Sequence, residues 1–109
     1  MTESAQYGAV LQLTAAEGKR DELIRVLTNY ANTLDGEPGT TLFAAAADAT
    51  DENVVWLWEE FLDEEAVRGH FQHDFFHALQ MELEDLLDGP SAVRPLEPFT
   101  RRINPVAAE

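Results

Sequence analysis

A chain of 109 residues with 21 acidic and 7 basic side chains, and so a net charge of −14, repels phosphate backbones and anionic membrane surfaces; nucleic-acid and membrane partners are not expected. With 45% apolar and 26% charged residues the composition is that of a folded protein, and the length suits one domain, 1–109, with its core at about 7–103 and a frayed tail at 104–109. The absence of cysteine excludes disulfides, thiolate metal sites and Cys nucleophiles. No apolar run approaches the ~18–20 residues that span a bilayer, and Met1 to Gln6 have neither the basic start nor the apolar core of a signal peptide, so a cytoplasmic location is expected.

The first predicted element is a strand over Tyr7 to Thr14, an apolar run that stops at the small polar stretch Ala15 to Gly18. From Lys19 the period changes: Leu23, Val26, Leu27, Tyr30, Ala31 and Leu34 recur three and four apart, which predicts an amphipathic helix from Lys19 to Leu34. Asp35-Gly36-Glu37-Pro38-Gly39 ends it and turns the chain. A second strand is predicted over Thr40 to Ala47, followed by a polar connection, Asp48 to Asn53.

The third strand, Val54 to Phe61, has the strongest signal. Its first five residues are all apolar, so burial on both faces is expected, one under helices and the other against the sheet of a second copy. Asp63 to Leu87 reads as helical in two pieces, with Asp63 capping, Glu64 and Glu65 in the first turn, and a break near Gln72 to Asp74. Asp88-Gly89-Pro90 ends the second piece, and a fourth strand is expected within Ser91 to Ile103, at an edge because of Pro95 and Pro98. The order strand, helix, strand, strand, helix, strand predicts an α+β, ferredoxin-like βαββαβ fold with an antiparallel sheet and both helical segments on one side.

An ordered set of marks runs through this frame. Glu17-Gly18-Lys19 precedes the first helix and Glu37-Pro38-Gly39 follows it. Trp58-Glu59-Glu60-Phe61 ends the third strand, Asp63-Glu64-Glu65-Ala66 opens the next helix, and His70 and Phe76 follow. In these marks the chain, from Tyr7 to Phe99, resembles the antibiotic biosynthesis monooxygenase (ABM) family. The resemblance implies a homodimeric α/β barrel formed through the sheet face, and cofactor-free oxygenation of a small phenolic or quinol compound. The family also includes haem-degrading members, but the positions that correspond to their Asn, Trp and His hold Leu11, Phe61 and Gln80 or His77. Phe61 and Phe75 also stand where many members have Trp and a second His.

An oxygenase without a cofactor must deprotonate its substrate and shield the resulting anion from water. His suits the first task. His70 is the leading candidate because it matches the family position, and His73 is the second. An aromatic pocket walled by Trp56, Trp58, Phe61, Phe71, Phe75 and Phe76 would suit the second task, although each of these also reads as ordinary core. His70, His73 and His77, with Asp74 among them, fall at spacings of three and four but lack a recognised zinc pattern, so no metal is assigned. Glu59 and Glu60 read as a solvated strand end, with a buried base as the other reading. Arg94, Arg101 and Arg102 are expected to pair with carboxylates rather than to hold substrate.

The leading functional expectation is therefore a cofactor-independent monooxygenase of a phenolic, quinol or anthrone-type aromatic. A non-enzymatic or haem-binding dimeric module of the same fold and a biosynthetic cyclase or isomerase are the alternatives. The carboxylate excess has two readings of its own, adaptation to a salty cytoplasm or ordinary acidity.

Overall fold

The computed structural model describes residues 7–106; the polar segment Met1 to Gln6 and the end of the expected tail lie outside the described residues. Four strands, β1 (Tyr7–Thr14), β2 (Thr40–Ala47), β3 (Val54–Phe61) and β4 (Ala92–Leu96), form one antiparallel sheet in the order β2-β3-β1-β4. Three helices, α1 (Arg20–Ala31), α2 (Glu64–Gln72) and α3 (Asp74–Glu84), complete the ferredoxin-like α+β arrangement. No helix among the described residues is long and apolar enough to cross a membrane.

Gly18, at φ 79°, makes the left-handed turn that leads into α1, a conformation that costs glycine little. Leu23, Val26, Leu27 and Tyr30 form the buried stripe of α1. The helix stops at Ala31, three residues short of the expected Leu34. The Thr33 hydroxyl donates to the Tyr30 carbonyl at 2.7 Å, and a 3-10 turn over Leu34–Gly36 follows. That turn delivers Glu37 back toward the sheet.

Period-two alternation divides β3 between two environments. Val55 and Leu57 point to the helix side and join Leu13, Leu23, Leu27, Leu79 and Leu83 in the core. Trp56 and Trp58 point the other way and are 38% and 39% exposed. The expected burial of β3 on both faces is thus not met within one chain, because all three helices lie on one side of the sheet. The open face is a row of Ala44, Trp58, Val10 and Arg94 with the residues flanking it.

Asp63 caps α2 by accepting from the Ala66 amide at 2.8 Å, with Glu64 and Glu65 in the first turn. The helical stretch breaks at His73, whose extended backbone (φ −74°, ψ 144°) ends α2, while its Nδ1 accepts from the Phe75 amide and starts α3. The core fills the half of the sheet near the start of β3. The other half, toward Phe61, carries polar groups and a cavity.

Candidate functional site

At that second end of the sheet, His70 is the most buried polar side chain, 2% exposed, in the last turn of α2. Its Nδ1 lies 2.9 Å from Glu37 Oε1 and 3.3 Å from the Tyr30 hydroxyl, and its Nε2 is 3.9 Å from Glu59 Oε1. The Glu37 carboxylate is the stronger acceptor of the two groups around Nδ1, so that nitrogen carries the proton. In the neutral imidazole Nε2 is then free to accept one. Thr40 donates to the same Glu37 oxygen at 3.0 Å and steadies it, whereas buried Oε2 has no hydrogen-bond partner.

Glu37 is in place because Gly39 allows β2 to approach α2. A Cβ on Gly39 would lie 2.6 Å from that of Ala66, and the Gly39 carbonyl accepts from the Leu62 amide at 2.8 Å. Ala66 and His70, four residues apart, share one face of α2. The Glu-Pro-Gly turn and the histidine helix therefore fit together as one joint.

Glu59 stands in the sheet row of Phe43, Ala9 and Pro95, on the helix side of β3. It is 8% exposed, so the reading of Glu59 and Glu60 as a solvated strand end is corrected for both. Consecutive strand residues face opposite ways. Glu59 is buried beside His70, while Glu60, 4% exposed, takes a 2.8 Å hydrogen bond from the Trp58 indole and lies 3.6 Å from Arg101 on the other face. Burial raises the Glu59 pKa above the ordinary carboxylate value, the Glu37 charge adds to the rise, and His70 opposes it. Burial, followed by the charges of Glu37 and Glu59, likewise raises that of the Tyr30 hydroxyl, which keeps its proton and is not a base.

His70 and Glu59 open onto a cavity of about 1070 Å³, bounded by the first residues of β1, one side of α2 and α3, β4 and the segment after it. Phe61, Phe71 and Phe76 line it, with ring centres 5.0, 5.1 and 4.8 Å from that of His70. Tyr7, Leu11, Val93 and Phe99 extend the wall, while Glu37 and Tyr30 sit behind the imidazole.

Of the residues singled out from the sequence, His70, Phe61, Phe71 and Phe76 therefore come together. Trp56 and Trp58 do not, since their place in the strand puts them on the opposite face from Glu59 and Phe61. His73 and Phe75 stack on each other at the helix joint, 5.4 Å between ring centres, and lie outside the cavity. His77 is exposed, and no group of three or more His, Asp or Glu that could hold a metal is found among the described residues. Arg101 pairs with a carboxylate as expected, Arg102 donates to Asn104, and Arg94 lies on the open face.

Sequence reasoning missed Glu37 and Tyr30 as site residues. The one available signal for Tyr30 was its position on the buried stripe of α1 with a hydroxyl to satisfy. Glu37, 33 residues from its partner, was visible only as part of a turn and of the Glu-Pro-Gly mark, with no role attached.

Comparison with known proteins agrees with this architecture. An uncharacterised protein of Synechocystis sp. is 26% identical over 76 residues, covering 70% of this chain; the chain spans about half, 52%, of that relative. A Pseudomonas aeruginosa structure superposes with a TM-score of 0.80 at 20% identity, over 92% of this chain and 99% of that one. A Caulobacter crescentus structure, named provisionally for antibiotic biosynthesis monooxygenase, superposes with a TM-score of 0.82 at 21% identity, over 89% and 92%. These likenesses establish the fold. The model of the antibiotic biosynthesis monooxygenase family matches residues 6–82, well over half of the sequence, and the chain belongs to that family.

Proposed function

We propose that the protein is a cofactor-independent monooxygenase that oxidises a phenolic, quinol or anthrone-type aromatic in this cavity. The observation that carries the reading is the buried His70, backed by Glu37 and beside Glu59, opening into an aromatic chamber. The substrate proton passes to His70 Nε2. The imidazolium that forms lies between two carboxylates, which stabilise its charge, and it pairs with the new substrate anion. The electron-rich anion then reacts with O2. For an anthrone, the methylene and O2 become a ketone and water, so atoms balance without a further reductant. Phe61, Phe71 and Phe76 keep water from the anion.

The site acts within a homodimer that covers the open sheet face. Support comes from Trp56, Trp58 and Val10, an apolar group on a face that no helix covers. Glu59 and His70 belong to the same chain, so each subunit holds its own base.

The test is oxygen consumption and product formation by metal-stripped protein given an anthrone and a hydroquinone, in air and without it. Oxygen-dependent turnover that His70→Gln abolishes supports the reading. Turnover that is equal without oxygen refutes it in favour of a cyclase or isomerase, and no turnover under either condition favours a binding module.

A further inference from the structure

All seven Lys and Arg side chains lie outside the cavity wall, whose ionisable members are Tyr7, Glu59, His70 and Glu97. Arg68 pairs with Glu64 on the outer side of α2, Arg94 faces the open side of the sheet and Arg101 pairs with Glu60. Behind the wall, Glu37 adds a third acidic group, and one of its oxygens is buried without a partner. Among the described residues, the one basic nitrogen side chain in the cavity wall is His70, and two carboxylates already flank it.

From this we propose that the cavity selects uncharged, hydroxyl-bearing aromatics and rejects their carboxylated, sulfonated or phosphorylated counterparts. The inference rests on the cavity being the ligand site, and it sharpens the substrate class given above. A neutral phenol brings its own proton, and any negative charge it develops appears together with the positive charge on His70. A ligand that arrives ionised adds a negative charge beside Glu59 and Glu37 with nothing to neutralise it, and because both carboxylates are buried, 8% exposed, that repulsion is screened less than one at the surface. Discrimination by one repulsive element in this way needs no added contact with the preferred ligand.

The probes are 2-naphthol and 6-hydroxy-2-naphthoate, which share a ring system and a hydroxyl, measured by calorimetry without oxygen. High salt, about 0.5 M KCl, screens repulsion from the net charge of the whole protein and leaves the local term. The naphthoate is expected to bind at least about thirty-fold more weakly than naphthol, and Glu59→Gln is expected to narrow that ratio to a few-fold. Should Glu59→Gln fail to fold, Phe99→Arg, at a cavity-lining position 94% exposed, places a cation at the rim and is expected to shift the ratio toward the naphthoate.

Equal binding of the two probes overturns the inference. So does a ratio that neither substitution changes, which would assign the preference to shape, and so does failure of naphthol to bind. Naphthol binding with the expected ratio, together with no oxygen uptake from any phenol, would refute the oxygenase reading and leave this one standing.

Discussion

Replacing Gly39 with alanine tests whether the Glu-Pro-Gly turn positions the histidine. The added Cβ would meet Ala66 Cβ at 2.6 Å and its Cα at 3.4 Å. Carbon atoms rest at ~3.5–4.0 Å, so β2 and α2 must separate by about 1 Å. Overpacking of this kind costs ~1–3 kcal/mol, and at ~4–8 °C per kcal/mol for a domain of this size the melting temperature should fall by roughly 5–20 °C. The same separation lengthens the 2.9 Å Glu37–His70 contact, so turnover should fall further than the folded fraction explains. Ala66→Gly alone costs about 1 kcal/mol as a helix glycine, but combined with Gly39→Ala it removes the collision. The double variant should therefore melt above the sum of the single effects by most of the overpacking term. The assay is thermal unfolding by circular dichroism at fixed protomer concentration, since assembly shifts apparent stability. A Gly39→Ala protein that melts within a degree of wild type, or additive single effects, would refute the close fit of turn and helix.

Further outcomes are expected for the site, the helix joint and the net charge. Glu59→Gln should lose turnover yet be more stable by ~0.5–2 kcal/mol at pH 8. Because the folded-state pKa of Glu59 is raised, its stabilising contribution is full below the unfolded value of 4.5 and is lost as pH rises through the folded one; the gain should vanish near pH 4, and urea melts at the two pH values check this. His70→Ala should destabilise by ~3–5 kcal/mol by stranding buried Glu37. His73→Ala should cost about 1 kcal/mol through loss of the α3 cap while turnover persists, and His77→Ala should be neutral in both, which denaturant titration and steady-state rates read together. With a net charge of −14, the melting temperature should rise between low and molar KCl as screening takes effect; an unchanged value would sink the high-salt adaptation reading.

The fold was legible because the hydrophobic period switches cleanly along the chain. Leu23, Val26, Leu27 and Tyr30 repeat at helical spacing, the all-apolar start of β3 stands between polar stretches, and the break near His73 falls where the run of apolar spacing restarts at Phe75. The site was legible only in part. Phe61, Phe71 and Phe76 followed from their nearness in sequence to His70, but Trp56 and Trp58 were placed with them against the strand's own alternation, which already separates residues 56 and 58 from 57, 59 and 61. Charge at a strand end reads as solvated by default, and the charge partners of Glu59 and Glu60 come from elsewhere in the chain: His70 for one, Arg101 for the other. Glu37 meets His70 only because α1 stops early and Gly39 admits α2, two tertiary facts that local periodicity does not carry.

Alternation along β3 also gives the molecule an optical signal that is blind to the cavity. Both of its tryptophans, Trp56 and Trp58, sit on the open sheet face, their indole N–H groups engaged by Asp48 and Glu60 at 2.8 Å, while the cavity is lined by phenylalanine and tyrosine without any indole. Intrinsic emission excited at the red edge therefore originates wholly from the surface that a second copy would cover and is separated by the thickness of the sheet from the ligand chamber. If two copies pair through this face, dilution that separates them would change the signal by hydrating the indoles, whereas a non-absorbing ligand filling the chamber would leave it nearly unaltered. Assembly can thus be followed in the unmodified protein without interference from occupancy.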